Sequence, residues 1–424
     1  MYKPFLLLII FSITLTADAQ IDIKNYVKEN AVLVSTIQPD SLDFSDLEAF
    51  GNAIGQSKIV MLGEQDHGDA PTFLAKTRLI RYLHEKKGFN VLAFESDFFA
   101  LNYGWSSLEK TENKIDSFLK KNIYGIWTTC DACQKLFYEI IPGTYKTKTP
   151  LVITGFDSQT YLKYSSNNLT QKFDSVLKAL DLPVTRTENY SSYILPLIDT
   201  LTKQPVFSKD SSFFNSILKQ LYIIQSELAL KIEPGDFWSL VMNSLIQRAI
   251  EFKYIFIDFS KGNNARDMQM SNNLSWLNSV KFPNDKIIVW AHNYHISKFG
   301  GNYAENSSNA KNSMGTEFTK DPLQNTNTYI LGFTSYTGTA GRIPGKPYVV
   351  EKPAKNGFEN WIDSSYNYAF IDFRKFNSLN PNAEVNFNMK GSIIKPHKNH
   401  SAQWARIFDG VFYIRNMYPC SIAN

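Results

Sequence analysis

Two carboxylates and an imidazole fall within four consecutive positions of Gly63-Glu64-Gln65-Asp66-His67-Gly68. An imidazole titrates near neutral pH, so a histidine beside a carboxylate suits a general base that takes a proton from water. The flanking Gly63 and Gly68 permit unusual φ and close backbone approach to a ligand. Three further segments carry related chemistry. Glu95 ends the apolar run Val91–Phe94, and burying that carboxylate requires a cationic or hydrogen-bonding partner, for which a histidine is the economical candidate. His292 and His295 stand three apart in Ala291-His292-Asn293-Tyr294-His295. Arg266 heads a stripe with Met270, Asn273 and Leu277 at helical steps, as expected of a guanidinium paired with a buried carboxylate or aimed at a ligand.

Together these groups suit water-mediated hydrolysis. His67, oriented by Glu64 or Glu95, would activate water, and His292, His295 or Arg266 would stabilise an oxyanion or protonate a leaving alkoxide. No Gly-x-Ser-x-Gly elbow occurs, so a serine nucleophile lacks its usual signature. Glu64, Asp66, His67, Glu95, His292 and His295 are also a mixed oxygen and nitrogen set suited to Zn, Mn or Fe, which leaves a metal-dependent hydrolase as an alternative. A non-catalytic exported protein that holds a small molecule in the same crevice is the third reading. His84 reads as solvated or capping a helix end, and His397 and His400 as residues of an exposed loop.

Positioning such distant groups falls to buried strands. Ile59–Leu62, Val91–Phe94, Leu151–Phe156 and Ile287–Ala291 are continuously apolar, which is the pattern of parallel strands covered on both faces. Each runs straight into one of the ionisable segments or into Asp157, and ligands of open parallel sheets bind outside the carboxyl ends of the strands. A helix with Pro71 in its first turn and Phe73, Thr77, Ile80 and Leu83 on one side joins the first two runs, giving a βαβ unit. Over about 162–262 the residues favour helices, including Ser211–Leu230 and Phe237–Phe252, and a further helix is predicted from about Asn264 to Ser279. Later strands are predicted at Tyr329–Phe333, Tyr348–Val350 and Phe408–Ile414, with a Gly- and Asn-rich loop from Phe299 to Met314. The fold class is therefore α/β, a largely parallel central sheet flanked by helices, with a helical insertion.

Composition removes several classes of function. The 424 residues carry a formal charge of only +4 with no long basic run, which argues against nucleic acid as a partner. With 43% hydrophobic and 20% charged residues, the chain has the balance of a globular protein and not of a disordered one. Residues 1–19 read as a signal peptide: Lys3, an apolar stretch from Phe5 to Thr16, then Ala17-Asp18-Ala19 before Gln20. The apolar stretch falls short of the roughly 20 residues a spanning helix needs, so the expected product is exported, periplasmic or secreted, without stable membrane insertion. Three cysteines are too few for a disulfide framework, and Cys130 and Cys133, in a C-x-x-C, are expected to form a local structural pair.

Four segments in order resemble the erythromycin esterase family: Gly63-Glu64-Gln65-Asp66-His67-Gly68, Phe94-Glu95-Ser96-Asp97, Arg266-Asp267-Met268-Gln269-Met270 and Trp290-Ala291-His292-Asn293-Tyr294-His295. Ser313-Met314-Gly315 and Phe408-Asp409-Gly410 are similar to weaker family elements. The resemblance implies a hydrolase of macrolide lactones, with macrolide resistance as a consequence, or a relative acting on another small-molecule ester. It implies that His67 is the general base without a required metal, and that Glu64, Glu95, His292, His295 and Arg266 are further active-site positions. Two residues depart from the family pattern. Asp66 stands where a small hydroxyl residue is usual, and Lys76 where an arginine is frequent, so both are candidate substrate-binding positions. Lysine there keeps the charge and loses the bidentate fork.

Overall fold

The computed structural model describes residues 22–203, 211–298, 312–392 and 395–423. Its centre is a sheet built from β1 (Val32–Val34), β2 (Ile59–Leu62), β3 (Phe89–Asp97), β4 (Val152–Asp157), β5 (Lys286–Trp290), β6 (Thr328–Ala340), β7 (Tyr348–Val349), β8 (Tyr368–Asp372) and β11 (Gly410–Met417). β9 (Phe387–Met389) and β10 (His400–Ala402) pair separately. The main order is β1-β8-β11-β6-β2-β5-β3-β4, with β7 on β6. From β11 to β4 every pairing is parallel, whereas β8 runs antiparallel to β11 and β1 antiparallel to β8.

All four residues of β2 are fully buried, because the sheet is covered on both faces. Val60 and Leu62 join a cluster with Leu92, Phe94 and Trp290, while Ile59 and Met61 join one with Val91, Ala93 and Val289. Each such side chain contributes roughly 1.5–3 kcal/mol on burial. Helix Ala70–Lys87 connects β2 to β3, with Pro71 in its first turn and Gly88 closing it at φ 73°. Left-handed backbone of that kind costs glycine little.

Among the described residues between β4 and β5 there are helices and no strand. Lys163–Ala179, Ser211–Leu228 and Phe237–Tyr254 form a third apolar cluster, which includes Leu169, Phe173, Leu221 and Leu245 and closes over Phe98 and Phe99. Helix Phe259–Trp276 begins earlier than predicted, capped by Asp258, whose side chain accepts from Lys261 N. No helix among the described residues is long and apolar enough to cross a membrane. The signal peptide expected over residues 1–19 lies outside the described residues, as do residues 299–311 of the predicted loop. Met314, at the end of that loop, opens a short helix, Met314–Thr319.

Two expectations are corrected. Cys130 pairs with Cys420, 290 residues away, and not with Cys133, which is a buried free thiol. Cys133 ends a short 3-10 turn, Asp131–Cys133, that Cys130 precedes, while Cys130 itself is bridged antiparallel to Ile422. His397 is fully buried, not part of an exposed loop: its Nε2 lies 3.0 Å from Asp69 Oδ1 and its Nδ1 2.9 Å from Ser335 Oγ. A local run of Lys and Asn hid that burial, which a carboxylate far away in the sequence makes tolerable.

Candidate active site

The carboxyl ends of β2, β5 and β3 are neighbours in the sheet, so the segments that follow them converge. Gly63 leaves β2 and meets Asn293 so closely that a Cβ would lie 1.9 Å from Asn293 Oδ1. A Cβ on Gly68 would lie 1.9 Å from Gly341 O. Neither glycine has positive φ, so close approach of protein atoms, rather than turn geometry, is what requires them. Asn293 N in turn donates to Glu64 O at 2.9 Å, joining the β2 and β5 ends. Glu95 sits where the β3–β4 register shifts between Phe94 and Asp97, an irregularity of the kind that re-aims side chains.

His67 and Glu64 form a dyad, with His67 Nδ1 2.7 Å from Glu64 Oε1. Glu64 is fully buried and holds two more partners: Trp127 Nε1 donates to Oε1 at 3.0 Å and Lys76 Nζ to Oε2 at 2.7 Å. Burial pushes the Glu64 carboxyl up, but Lys76 and His67 outweigh it and hold the group below the usual carboxylate range. It is therefore an anion that accepts, and His67 Nδ1 carries the donated proton. In the neutral ring Nε2 is then the lone-pair nitrogen, on a side chain 14% exposed. Trp127 packs edge-on against the ring at 5.6 Å and His292 lies 5.1 Å away, centre to centre.

The second cluster surrounds Arg266. Its Nη2 donates to Glu95 Oε1 at 2.8 Å and to Asp157 Oδ2 at 2.6 Å, and Nε adds a bond to Asp157 Oδ1 at 3.1 Å. Met270, Asn273 and Leu277 are buried below it on the same helical face. Burial pushes the Glu95 carboxyl up, yet His295 and Arg266 prevail and hold it far below the usual value. Glu95 Oε2 accepts from the backbone N of His292 at 3.0 Å, which ties β3 to β5.

The two histidines of that segment differ in kind. His292 Nε2 lies 2.9 Å from Gln65 O, and its Nδ1 accepts from Tyr294 N at 3.0 Å. Both nitrogens are thus engaged by backbone in the neutral tautomer, and burial with His67 and His295 nearby pushes its pKa down to about 3. His295 Nδ1 lies 2.7 Å from Asp267 Oδ1, and Nε2 lies 3.2 Å from Glu95 Oε1. Burial opposes its imidazolium, but Asp267 and Glu95 outweigh burial and raise its pKa.

Asp66 is taken up by protein groups: Tyr348 OH donates to it at 2.7 Å, His67 N at 2.9 Å, and Arg342 Nε pairs with it. Lys76 is likewise committed inside the protein, with Nζ on Glu64 and 3.9 Å over the Trp290 ring. Asp157, Asp267 and Trp127 are the partners that sequence reasoning left out of the site. Asp267 follows Arg266 directly and Asp157 ends β4, so both carried a positional hint, whereas nothing local marks Trp127. Among the described residues, the one group of three His, Cys, Asp or Glu ligand atoms all within 4.8 Å of one another is Cys130, Asp131 and Cys420, whose sulfurs are joined to each other.

Comparisons with known proteins agree with this architecture. YbfO of Bacillus subtilis, assigned to the hydrolases by name only, is 26% identical over 318 residues, 70% of this chain and 68% of that one. A crystal structure of a Bacillus cereus protein superposes with a TM-score of 0.71 at 17% identity, covering 95% of this chain and 98% of the other. A mutant of the erythromycin esterase EreC in its open conformation gives 0.66 at 16% identity, covering 93% and 99%. These two likenesses establish the fold. The family model described as erythromycin esterase matches residues 84–417, most of the chain, and the protein belongs to the erythromycin esterase family.

Proposed function

We propose that the protein hydrolyses a carboxylic ester or lactone of a small molecule by direct attack of water activated by His67. Family membership supports a hydrolase in general; the reaction type is our reading of the site. The observation that carries it is the dyad: Glu64 fixes Nδ1 of an imidazole whose Nε2 has no hydrogen-bond partner among the described residues and whose side chain is partly open. Water at Nε2 loses a proton to the ring as its oxygen attacks the carbonyl, and Glu64 stabilises the imidazolium that forms. General-base help of this kind is worth about 10²–10⁴-fold. Arg266 supplies positive charge for the developing oxyanion, and the His295 imidazolium, held by Asp267, returns a proton to the leaving alkoxide. His292 is neutral and donates its one ring proton to Gln65 O, so it is no acid and its role is to hold Gln65 and Tyr294 in place.

The test is mass spectrometry of a macrolide and simple-ester panel incubated with wild-type protein and with His67→Ala. Products heavier by one water with wild type alone are expected. Equal turnover by His67→Ala removes His67 as the base, and stoichiometric binding without turnover by wild type makes the protein a binding module.

A further inference from the structure

Residues 418–423 lie between the two segments that support the catalytic dyad. On one side Cys420 N donates to Gly68 O at 2.8 Å and Ala70 N donates to Tyr418 O at 3.1 Å, around a bridge between Asp69 and Pro419. These residues continue directly from His67. On the other side Asp131 N donates to Ser421 O at 3.0 Å and Ala423 N to Thr129 O at 2.9 Å, around a bridge between Cys130 and Ile422. That segment continues from Trp127, whose Nε1 bonds Glu64, and Cys130 N donates to Trp127 O at 3.1 Å. Residues 418–423 thus form a segment bridged on both edges, and the Cys130–Cys420 disulfide closes it to the Trp127 side.

We infer that the Cys130–Cys420 disulfide positions the catalytic dyad, because it clamps residues 418–423, which hold the His67 loop on one edge and the Trp127 turn on the other. The inference rests on the proposed role of the dyad. With the bond closed, Glu64 receives Trp127 and His67 from two segments held in one register. Opening it leaves residues 418–423 held to both segments by backbone hydrogen bonds alone, and a segment with fewer ties opens locally at lower cost. The reaction is a two-electron reduction: a phosphine attacks one sulfur, the Sγ–Sγ bond breaks, and water supplies the oxygen of the phosphine oxide and the protons of two thiols. Misplacement of a catalytic group by about 1 Å costs on the order of 10²-fold in rate. Cys130 and Cys420 are positioning residues, since neither touches the reacting atoms.

The experiment compares the full-length protein before and after treatment with a water-soluble phosphine, together with Cys420→Ser and Cys130→Ala/Cys420→Ala, well below the melting temperature of each form. Amide hydrogen exchange over residues 63–70 is expected to rise by about tenfold or more on reduction. With an ester that wild type turns over, kcat is expected to fall by about tenfold or more while KM stays near its original value. The double variant is expected to show the reduced behaviour with or without phosphine. Unchanged exchange over 63–70 in protein whose two new thiols have been counted overturns the inference, as does retained kcat. If no ester is hydrolysed even by the oxidised protein, the proposed function fails, and hydrogen exchange still decides whether the clamp exists.

Discussion

Replacing Glu64 with Gln separates what this carboxylate does for stability from what it does for catalysis. Its Oε1 accepts from His67 Nδ1 at 2.7 Å and Trp127 Nε1 at 3.0 Å, and its Oε2 from Lys76 Nζ at 2.7 Å. Gln keeps the shape but offers one acceptor oxygen and an amide that donates. With the oxygen toward Lys76, the amide faces Nδ1, which must then accept. The ring proton moves to Nε2 and the lone pair needed by water is gone. With the oxygen toward His67, amide and ammonium meet donor to donor. In both cases the buried Lys76 charge loses its counter-charge, a change that costs about 3–5 kcal/mol. The expected loss in kcat is about 10²–10⁴-fold. Lys76→Met should cost a similar amount of stability by stranding Glu64 instead. The double variant Glu64→Gln/Lys76→Met holds no unpaired buried charge at this position, so its destabilisation should be clearly less than the sum of the singles. Its rate should stay low, because Gln still cannot fix the imidazole. Urea denaturation of the four proteins and ester hydrolysis well below their melting temperatures measure both quantities. A double variant that regains the wild-type rate, or a Glu64→Gln protein that never loses it, refutes the role given to Glu64.

Arg266→Lys keeps one charge but cannot bridge Glu95 and Asp157 together, so kcat should fall and denaturant midpoints should drop, with Arg266→Met worse in both. A ring-proton titration followed by NMR should find His295 charged above the ordinary histidine range; a ring that loses its proton below that range removes it as the proton donor. The folded pKa of His292, about 3, lies below the unfolded value of about 6.5, so the unfolded chain binds a proton that the folded chain refuses. Its contribution to stability is complete above the unfolded pKa and is lost as pH falls toward the folded one, by about 1.4 kcal/mol per pH unit. Urea midpoints across that window should flatten in His292→Asn relative to wild type, and identical slopes would contradict the assignment. Exhaustive chelation should leave the hydrolysis rate unchanged; loss of activity restored by Zn or Mn would favour a metal mechanism instead.

The parallel sheet was legible because its strands announce themselves twice. Ile59–Leu62 is apolar without interruption, which only burial on both faces tolerates, and it ends abruptly in Gly63-Glu64. The same two signs mark β3, β4 and β5, so the crevice and its ionisable groups could be located before any contact was known. Strands β1, β8, β9 and β10 gave no such sign. β1 and β8 lie at the antiparallel edge, where one face or end meets solvent and short polar interruptions are allowed, and β9 and β10 form a separate two-stranded pair.

Sequence named a histidine for Glu95, a carboxylate for Arg266 and Glu64 for His67, but not the partners of Lys76 or His397, because a partner is chosen by three-dimensional proximity. Lys76 shows this most clearly. Its place nine residues after His67 suggested a substrate contact, yet its ammonium lies buried against Glu64 and the face of Trp290. His397 is the same case in reverse: a polar neighbourhood suggested solvent, and Asp69 supplied the partner that makes its burial tolerable. The residues that touch substrate in a hydrolase are constrained by chemistry and so repeat a readable pattern of types. The residues that hold them are constrained only to satisfy a buried charge or a buried N–H, and Trp127, Lys76 and Asp267 are three unlike solutions to that single requirement.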